Sequence, residues 1–380
     1  MKKVHITLVD RSSSSESLGG DTVQINAIYK FLVENGFNTV ITKEIDEFLS
    51  QTDLIIFFNL TNATELFCNY DKVRESGVPF IIFPIYWDLD RVIPRIAYVG
   101  VINKFLKMVP HTAFQLGRTI KYFCKNKKRN RLKIKQLFRW LSYNKMVKEL
   151  LNNSRFICVN SYAEMEHLIN RFNVKEEIRS NIIVIPNGID STFATFEEMS
   201  VNIRGDQSFD KYICCIGGIG PRKNQLNLVR AANRAGVNLY IIGKSNERDN
   251  AYEEKVRKIA NPNIKFLGYL DRTIVHKIVM GAKGVIQPSF IETPGLASME
   301  AFSLGIPIAV SDVPPVKEYF NEVAIFVNPH DIDSISNGLN SLLEKEQPDK
   351  SIVQNFNRNY NWNMVLEPLI HIIDVCTRKL

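Results

Sequence analysis

Read as a pattern of apolar and polar positions, the chain alternates between two periods. The runs KVHITLVD, FNTVIT, DLIIFFN and PFIIFPI are β-branched or aromatic, of strand length, with little internal polarity. Between them lie stretches of helical period: DTVQINAIYKFLVEN, closed by Gly36, and a segment around Asn62–Ser76. Further on, RFICVNS and NIIVIPNGID bracket a helix over Ala163–Phe172. From Tyr212 the alternation restarts, with strands YICCIGG, NLYIIG, IKFLG and GVIQPS separated by helices NQLNLVRAANRA, YEEKVRKIA and IVHKIVMGA. Strands alternating with helices of about ten residues predict parallel sheets with right-handed crossovers. Two such series predict an α/β fold of two Rossmann-like domains facing across a cleft, with ligands at the strand C-termini. The polar, aperiodic stretch from Ser191 to Asp210 predicts the linker, which gives domains 1–205 and 206–360. Residues 361–380, with NWNMVLEPLIHIIDVC, predict a helix that either covers one domain or crosses back to the first.

Composition changes this picture little, but charge adds a feature. With 380 residues, 45% apolar and 23% charged, there is material for two cores, and no run is long enough to span a membrane. The opening MKKVHITLVDRSSSS has a short apolar run that meets Asp-Arg at once, so it predicts a first strand and not a signal peptide. From Arg91 to Lys148 there are sixteen Lys and Arg and no Asp or Glu, so the rest of the chain carries 32 basic against 40 acidic residues. The whole net charge of +8 therefore comes from one segment, in which KYFCKNKKRNRLKIKQLFRW interleaves cations with aromatic and aliphatic residues. That mixture suits an anionic membrane surface; RNA binding and a solvated pair of basic helices are the other readings. Of these the membrane surface is the reading preferred, and nucleic acid is not expected as a partner. The six cysteines and six histidines show no metal-ligand spacing. We expect no metal, no cofactor and reduced thiols, in a cytoplasmic protein or one peripheral on the cytoplasmic face of the membrane.

The candidate chemistry lies just after strands. In FIETPGLASMEAFSLGIPIAVSD, Thr293 can cap a helix that has Pro294 at its first position and ends at Gly305 and Pro307. Glu292 then precedes the helix, Glu300 lies near its centre, and the amides from about Gly295 to Ala297 face outward with the positive dipole end. In CCIGGIGPRKNQLNLVRAANRA, a glycine-rich turn allows close approach of a diphosphate, with Arg222 and Lys223 placed to neutralise it. Neither a dinucleotide fingerprint nor a P-loop is present.

These segments resemble the family-4 (group 1) retaining glycosyltransferases of GT-B fold. The likeness is tight from Tyr212 to Asp331, clear around 154–190 and looser in 1–150. It implies a nucleoside-diphosphate sugar as donor, with UDP or GDP as carrier, and a glycan or lipid-linked acceptor. Bacterial surface polysaccharide or lipopolysaccharide synthesis is the implied setting. By resemblance Glu292 contacts the donor sugar and Glu300 the ribose hydroxyls. Lys223, with Arg222, stabilises the leaving diphosphate. Gly19, Gly20, Gly218, Asn224, Tyr269, Leu270, Pro294, Gly295 and Leu296 line the donor site. The chain departs from the family in three places. Pro294 stands where Phe is usual. Gly218 stands where Arg is usual, so Arg222 has to substitute. No His follows FIIFPIYWDLD; Tyr86, Trp87 and Asp88 occupy that region, as pocket lining or, for the aromatics, core packing. A sugar-nucleotide epimerase of the same architecture and a non-catalytic partner subunit are the alternatives.

Overall fold

The computed structural model describes residues 3–10, 19–87, 111–126, 142–190 and 211–378. The chain divides into two compact units, Met1–Asn187 with Trp362–Leu380, and Gly188–Asn361. The change of unit therefore falls within the Asn187-Gly188 step, upstream of the polar stretch 191–210, which lies outside the described residues. Most of the basic segment, 91–110 and 127–141, lies outside them too.

The first unit contains strands β1 (His5–Val9), β2 (Asn38–Thr42), β3 (Leu54–Phe58), β4 (Phe80–Phe83), β5 (Ile157–Val159) and β6 (Ile182–Val184). Its helices are α1 (Gly20–Glu34), α2 (Ala63–Ser76), α3 (His111–Asn126), α4 (Tyr143–Asn153), α5 (Tyr162–Phe172) and the short α6 (Glu176–Arg179). The strands form one parallel sheet in the order β2-β1-β3-β4-β5-β6. Every residue of β3 is buried, as expected of a strand covered on both faces. The pleat sends Leu54, Ile56 and Phe58 to one side with Ile6, Leu8 and α1, and Ile55 and Phe57 to the other with α2, α4 and α5. The last helix of the chain, Trp362–Thr377, supplies Trp362, Leu366, Leu369 and Ile373 to the face that carries α1.

The second unit has β7 (Tyr212–Ile216), β8 (Asn238–Ile242), β9 (Ile264–Gly268), β10 (Gly284–Gln287), β11 (Ile308–Ser311) and β12 (Ile325–Val327). Its helices are α7 (Gln225–Ala235), α8 (Asn250–Ile259), α9 (Arg272–Gly281), α10 (Leu296–Ser303), α11 (Pro314–Phe320), α12 (Ile332–Glu344) and α13 (Lys350–Asn359); Trp362–Thr377 is α14. This sheet is also parallel, in the order β12-β11-β10-β7-β8-β9. Its first strand in sequence, β7, lies between β10 and β8. The strand order reverses there, so the connections after β7 and β10 leave in opposite directions and open a crevice at their C-terminal ends.

Candidate active site

Two loops meet at that reversal point. After β7 the chain runs through Gly217, whose φ of +131 is open to glycine, and Lys223 lies over it. Residues Pro221–Lys223 form one 3-10 turn, and Asn224, at φ 62, starts α7. The Asn224 Nδ2 donates to Pro288 O at 2.9 Å and to Pro329 O at 2.7 Å, with the side chain buried. It therefore fastens the Lys223 loop to the ends of β10 and β12. Both of its side-chain amide protons are thus spent on backbone carbonyls.

Lys223 Nζ donates to Glu292 Oε2 at 2.5 Å, and Ser289 Oγ donates to the same oxygen at 3.0 Å. Arg222 Nη1 donates to Ile291 O at 3.0 Å and stands 3.5 Å from Glu292 Oε1. The structure thus brings Arg222, Lys223 and Glu292 together. Burial by itself would raise the Glu292 carboxyl pKa; Lys223, Arg222 and the two side-chain hydrogen bonds outweigh burial and hold it at about 2. Two cations against one carboxylate leave the cluster one positive charge in excess.

The helix beyond Glu292 starts later than its sequence suggests. α10 begins at Leu296, capped by Gly295 at φ +96, and Thr293-Pro294 is a cis peptide outside it. Thr293 is not the cap, nor Pro294 the first helical residue. The reason is tertiary: Phe290 N bonds Arg222 O, Ile291 O receives Arg222, and Glu292 turns onto Lys223, so residues 290–292 are held in a non-helical path. Pro294 and Gly295 are buried and Leu296 half-buried. The first intrahelical bonds run from Ser298 and Met299 to Gly295 O, so the Leu296 and Ala297 amides precede the ladder.

Glu300, one turn into α10, accepts from Arg272 Nη2 at 2.9 Å. Burial raises its pKa, Arg272 opposes that, and Asp190 adds to it. Of the remaining donor-site candidates, Gly218 O accepts from Gln225 Nε2 at 3.0 Å. Tyr269, just past β9, is 65% exposed, with Lys244 Nζ 5.9 Å from its ring centroid, and Leu270 beside it packs on the core.

In the first unit, Gly19 caps α1 in an extended conformation and Gly20 is its first residue. Asp21 fills the positive end of this helix: its carboxylate accepts from Thr22 N and, at 2.9 Å, from Asn59 Nδ2 at the end of β3. Tyr86 is buried in the core, its ring 5.1 Å from Phe172 and 5.7 Å from His167, which is the core-packing alternative and not the pocket-lining one. Trp87 is half-buried and stacked on His167 at 4.9 Å. Asp88 lies outside the described residues. The Tyr86–Trp87 turn is held by Glu164, whose fully buried carboxylate accepts from Tyr86 N and Asn160 N, each at 2.7 Å.

Glu164→Gln should cost about 1–3 kcal/mol, because its NH2 group must face one of two amide donors. Burial pushes the Glu164 pKa up to about 7 against the pull of the two amides. A folded-state pKa above the unfolded one contributes stability at low pH that is lost as pH rises through about 7. In urea unfolding across that range this contribution should be present in the wild type and missing from Glu164→Gln, so the two stabilities should draw together as pH rises through about 7.

Sequence reasoning missed Ser289, Gly217, Arg272, Asp190, Asp21, Glu164 and His167. Four of them sat in runs already quoted: Ser289 at the Pro-Ser strand end, Gly217 in the Gly-Gly turn, Asp21 at the head of DTVQINAIYKFLVEN and Asp190 at the end of NIIVIPNGID. Among the described residues no three His, Cys, Asp or Glu side chains converge where a metal ion could be held, and no helix is long and apolar enough to cross a membrane.

Residues 200–358 match the family described as Glycosyl transferases group 1. An uncharacterized glycosyltransferase of Methanocaldococcus jannaschii, MJ1607, is 27% identical over 57% of this chain and 58% of its own length. The O-antigen chain mannosyltransferase B of Escherichia coli is 29% identical over 33% of this chain and 35% of its own. Neither match spans two thirds of the relative. Among solved structures, sucrose-phosphate synthase from Thermosynechococcus elongatus aligns over 98% of this chain and 99% of its own with a TM-score of 0.72 at 14% identity, a likeness of fold.

Proposed function

We propose that this chain, whose second unit carries a group 1 glycosyltransferase domain within a GT-B fold, transfers a sugar from a nucleoside-diphosphate sugar to a glycan or lipid-linked acceptor. The observation that carries the reading is the cluster of Lys223, Arg222 and Glu292 at the strand reversal, beside the first turn of α10. Breaking the bond between sugar and diphosphate puts negative charge on the leaving phosphates. Two fixed cations and the Leu296 and Ala297 amides are preorganised for that charge. Glu292, held ionised, is the group to accept hydroxyls of the sugar once phosphate draws Lys223 away from it. Glu300 takes the ribose diol, where two carboxylate oxygens can receive two neighbouring hydroxyls. At the start of α1 Asp21 already supplies an anion, which favours acceptor hydroxyls over phosphate at the Gly19-Gly20 amides.

Retention of anomeric configuration rests on the family resemblance, and surface-polysaccharide or lipopolysaccharide synthesis on that and the partial likeness to the O-antigen mannosyltransferase. We propose that charge stabilisation comes from side chains and amides, without a divalent ion. Membrane attachment through 91–148 is part of the same proposal.

The reading is tested by thermal shift against UDP, GDP and ADP, followed by donor turnover with and without EDTA. A matching nucleotide at about a hundred times its Kd adds about 2.7 kcal/mol of stability. We expect one nucleotide to raise Tm and turnover to persist in EDTA. Absence of any shift, or a strict Mn²⁺ requirement, would count against it. Interconversion of the donor sugar without acceptor would indicate the epimerase.

A further inference from the structure

Arg272 opens α9, where the positive end of the helix dipole disfavours a cation. Its guanidinium is nonetheless committed on two sides. Nη2 donates to Glu300 Oε1 at 2.9 Å and Nη1 to Asp190 Oδ2 at 3.0 Å. Asp190 is itself on fixed backbone: its neighbour Ile189 donates its amide to Tyr360 O at 2.7 Å and bridges to Asn361. Arg272 is 54% exposed, a setting in which an ion pair adds little to stability. Its placement calls for another explanation.

We propose that Arg272 is a positioning residue for nucleotide recognition: anchored by Asp190, it fixes one oxygen of the Glu300 carboxylate and so leaves the second to face the ribose hydroxyls. This rests on the reading of Glu300 as the ribose ligand. The guanidinium fork is suited to the task, because one edge can satisfy two separate carboxylates in a fixed plane. No hydrogen bond reaches Glu300 Oε2 among the described residues, so that oxygen remains for the ligand. Among the described residues the charged groups facing Glu300 are Arg272 and Asp190. The strands packed against α10, β10 (GVIQ) and β11 (IAVS), carry no charge. α13 meets α10 through Asn357 Nδ2 on Ser303 O and the Phe356–Phe302 ring contact. His276, one turn along α9, is disfavoured as a cation by burial and by Arg272.

Burial raises the Glu300 pKa and Arg272 opposes the rise, so removing Arg272 should move the acid limb of nucleotide binding to higher pH. Removing Asp190 should move it lower. The experiment is calorimetric titration of wild type, Arg272→Met, Arg272→Lys, Asp190→Asn and Glu300→Ala, across pH, with UDP, GDP and ADP and with inorganic pyrophosphate. We expect Arg272→Met to weaken the matching nucleotide by about tenfold, the worth of one charge-assisted hydrogen bond. Pyrophosphate, which has no ribose, should bind unchanged, and Arg272→Lys should recover part of the loss. Equal weakening of pyrophosphate and nucleotide would overturn the proposal by showing a structural role. Nucleotide binding that depends on Glu300 but not on Arg272 would overturn it while leaving the functional reading intact. A wild type that binds no nucleoside diphosphate, or binds it independently of Glu300, would remove both.

Discussion

Lys223→Ala should lower turnover at saturating donor by about 10²- to 10³-fold, the range for losing one preorganised donor to a developing anion. The expectation follows from where the ammonium is held. It lies over Gly217 at the end of β7, 2.5 Å from Glu292 Oε2, on a loop that Asn224 fastens to two other strand ends. The substitution also strips the buried Glu292 of its nearer cation and leaves Arg222 at 3.5 Å. Because the Glu292 pKa is depressed from 4.5 to about 2, the cluster adds stability above the unfolded value that is lost as pH falls toward about 2. Lys223→Ala should therefore unfold more easily than wild type at neutral pH and converge with it in strong acid. Single-turnover kinetics at several donor concentrations separates loss of chemistry from loss of binding. Near-wild-type turnover by folded Lys223→Ala would remove the residue from the mechanism.

Gly243→Ala should destabilise the protein by more than about 4 kcal/mol or prevent folding, because two independent penalties coincide. Gly243 ends β8 with φ +135, a conformation essentially closed to other residues, and a methyl group there would collide with the Gly217 carbonyl. The backbones of β7 and β8 approach at this point, with Gly217 N donating to Ile242 O, while Gly243 N donates on the other side to Gly268 O at the end of β9. Displacing Gly217 would also move the floor under Lys223. Gly236→Ala is the control: it follows α7 at φ +68 with open space around its Cβ position, and should cost about 1 kcal/mol. Chemical denaturation of the two variants gives the comparison. Equal stability would show that the close approach is not rigid.

Much of the architecture was legible in the chain. Buried parallel strands need apolar residues on both faces, and runs such as LIIFF and YICCI announce them locally. Lys223 and Glu292 were recognisable because each follows a strand in a motif with turn chemistry of its own. Their pairing was not, since they are 69 residues apart and charged side chains in loops obey no period. The same holds for Arg272 between Asp190 and Glu300, and for Asn224 reaching Pro329 from 105 residues away. The start of α10 was misjudged because cap preferences act locally, whereas Arg222 holds residues 290 and 291 from the loop after β7. The amphipathic C-terminal helix could be seen, but not which unit it would cover. An apolar stripe states that a face must be buried and is silent on the partner, and here the sheet of the first unit had the open face. What the chain alone determined was thus its elements and the residue types at strand ends. Tertiary structure decided which of those ends meet, because strand order and pairing distance, not local period, bring charges into contact.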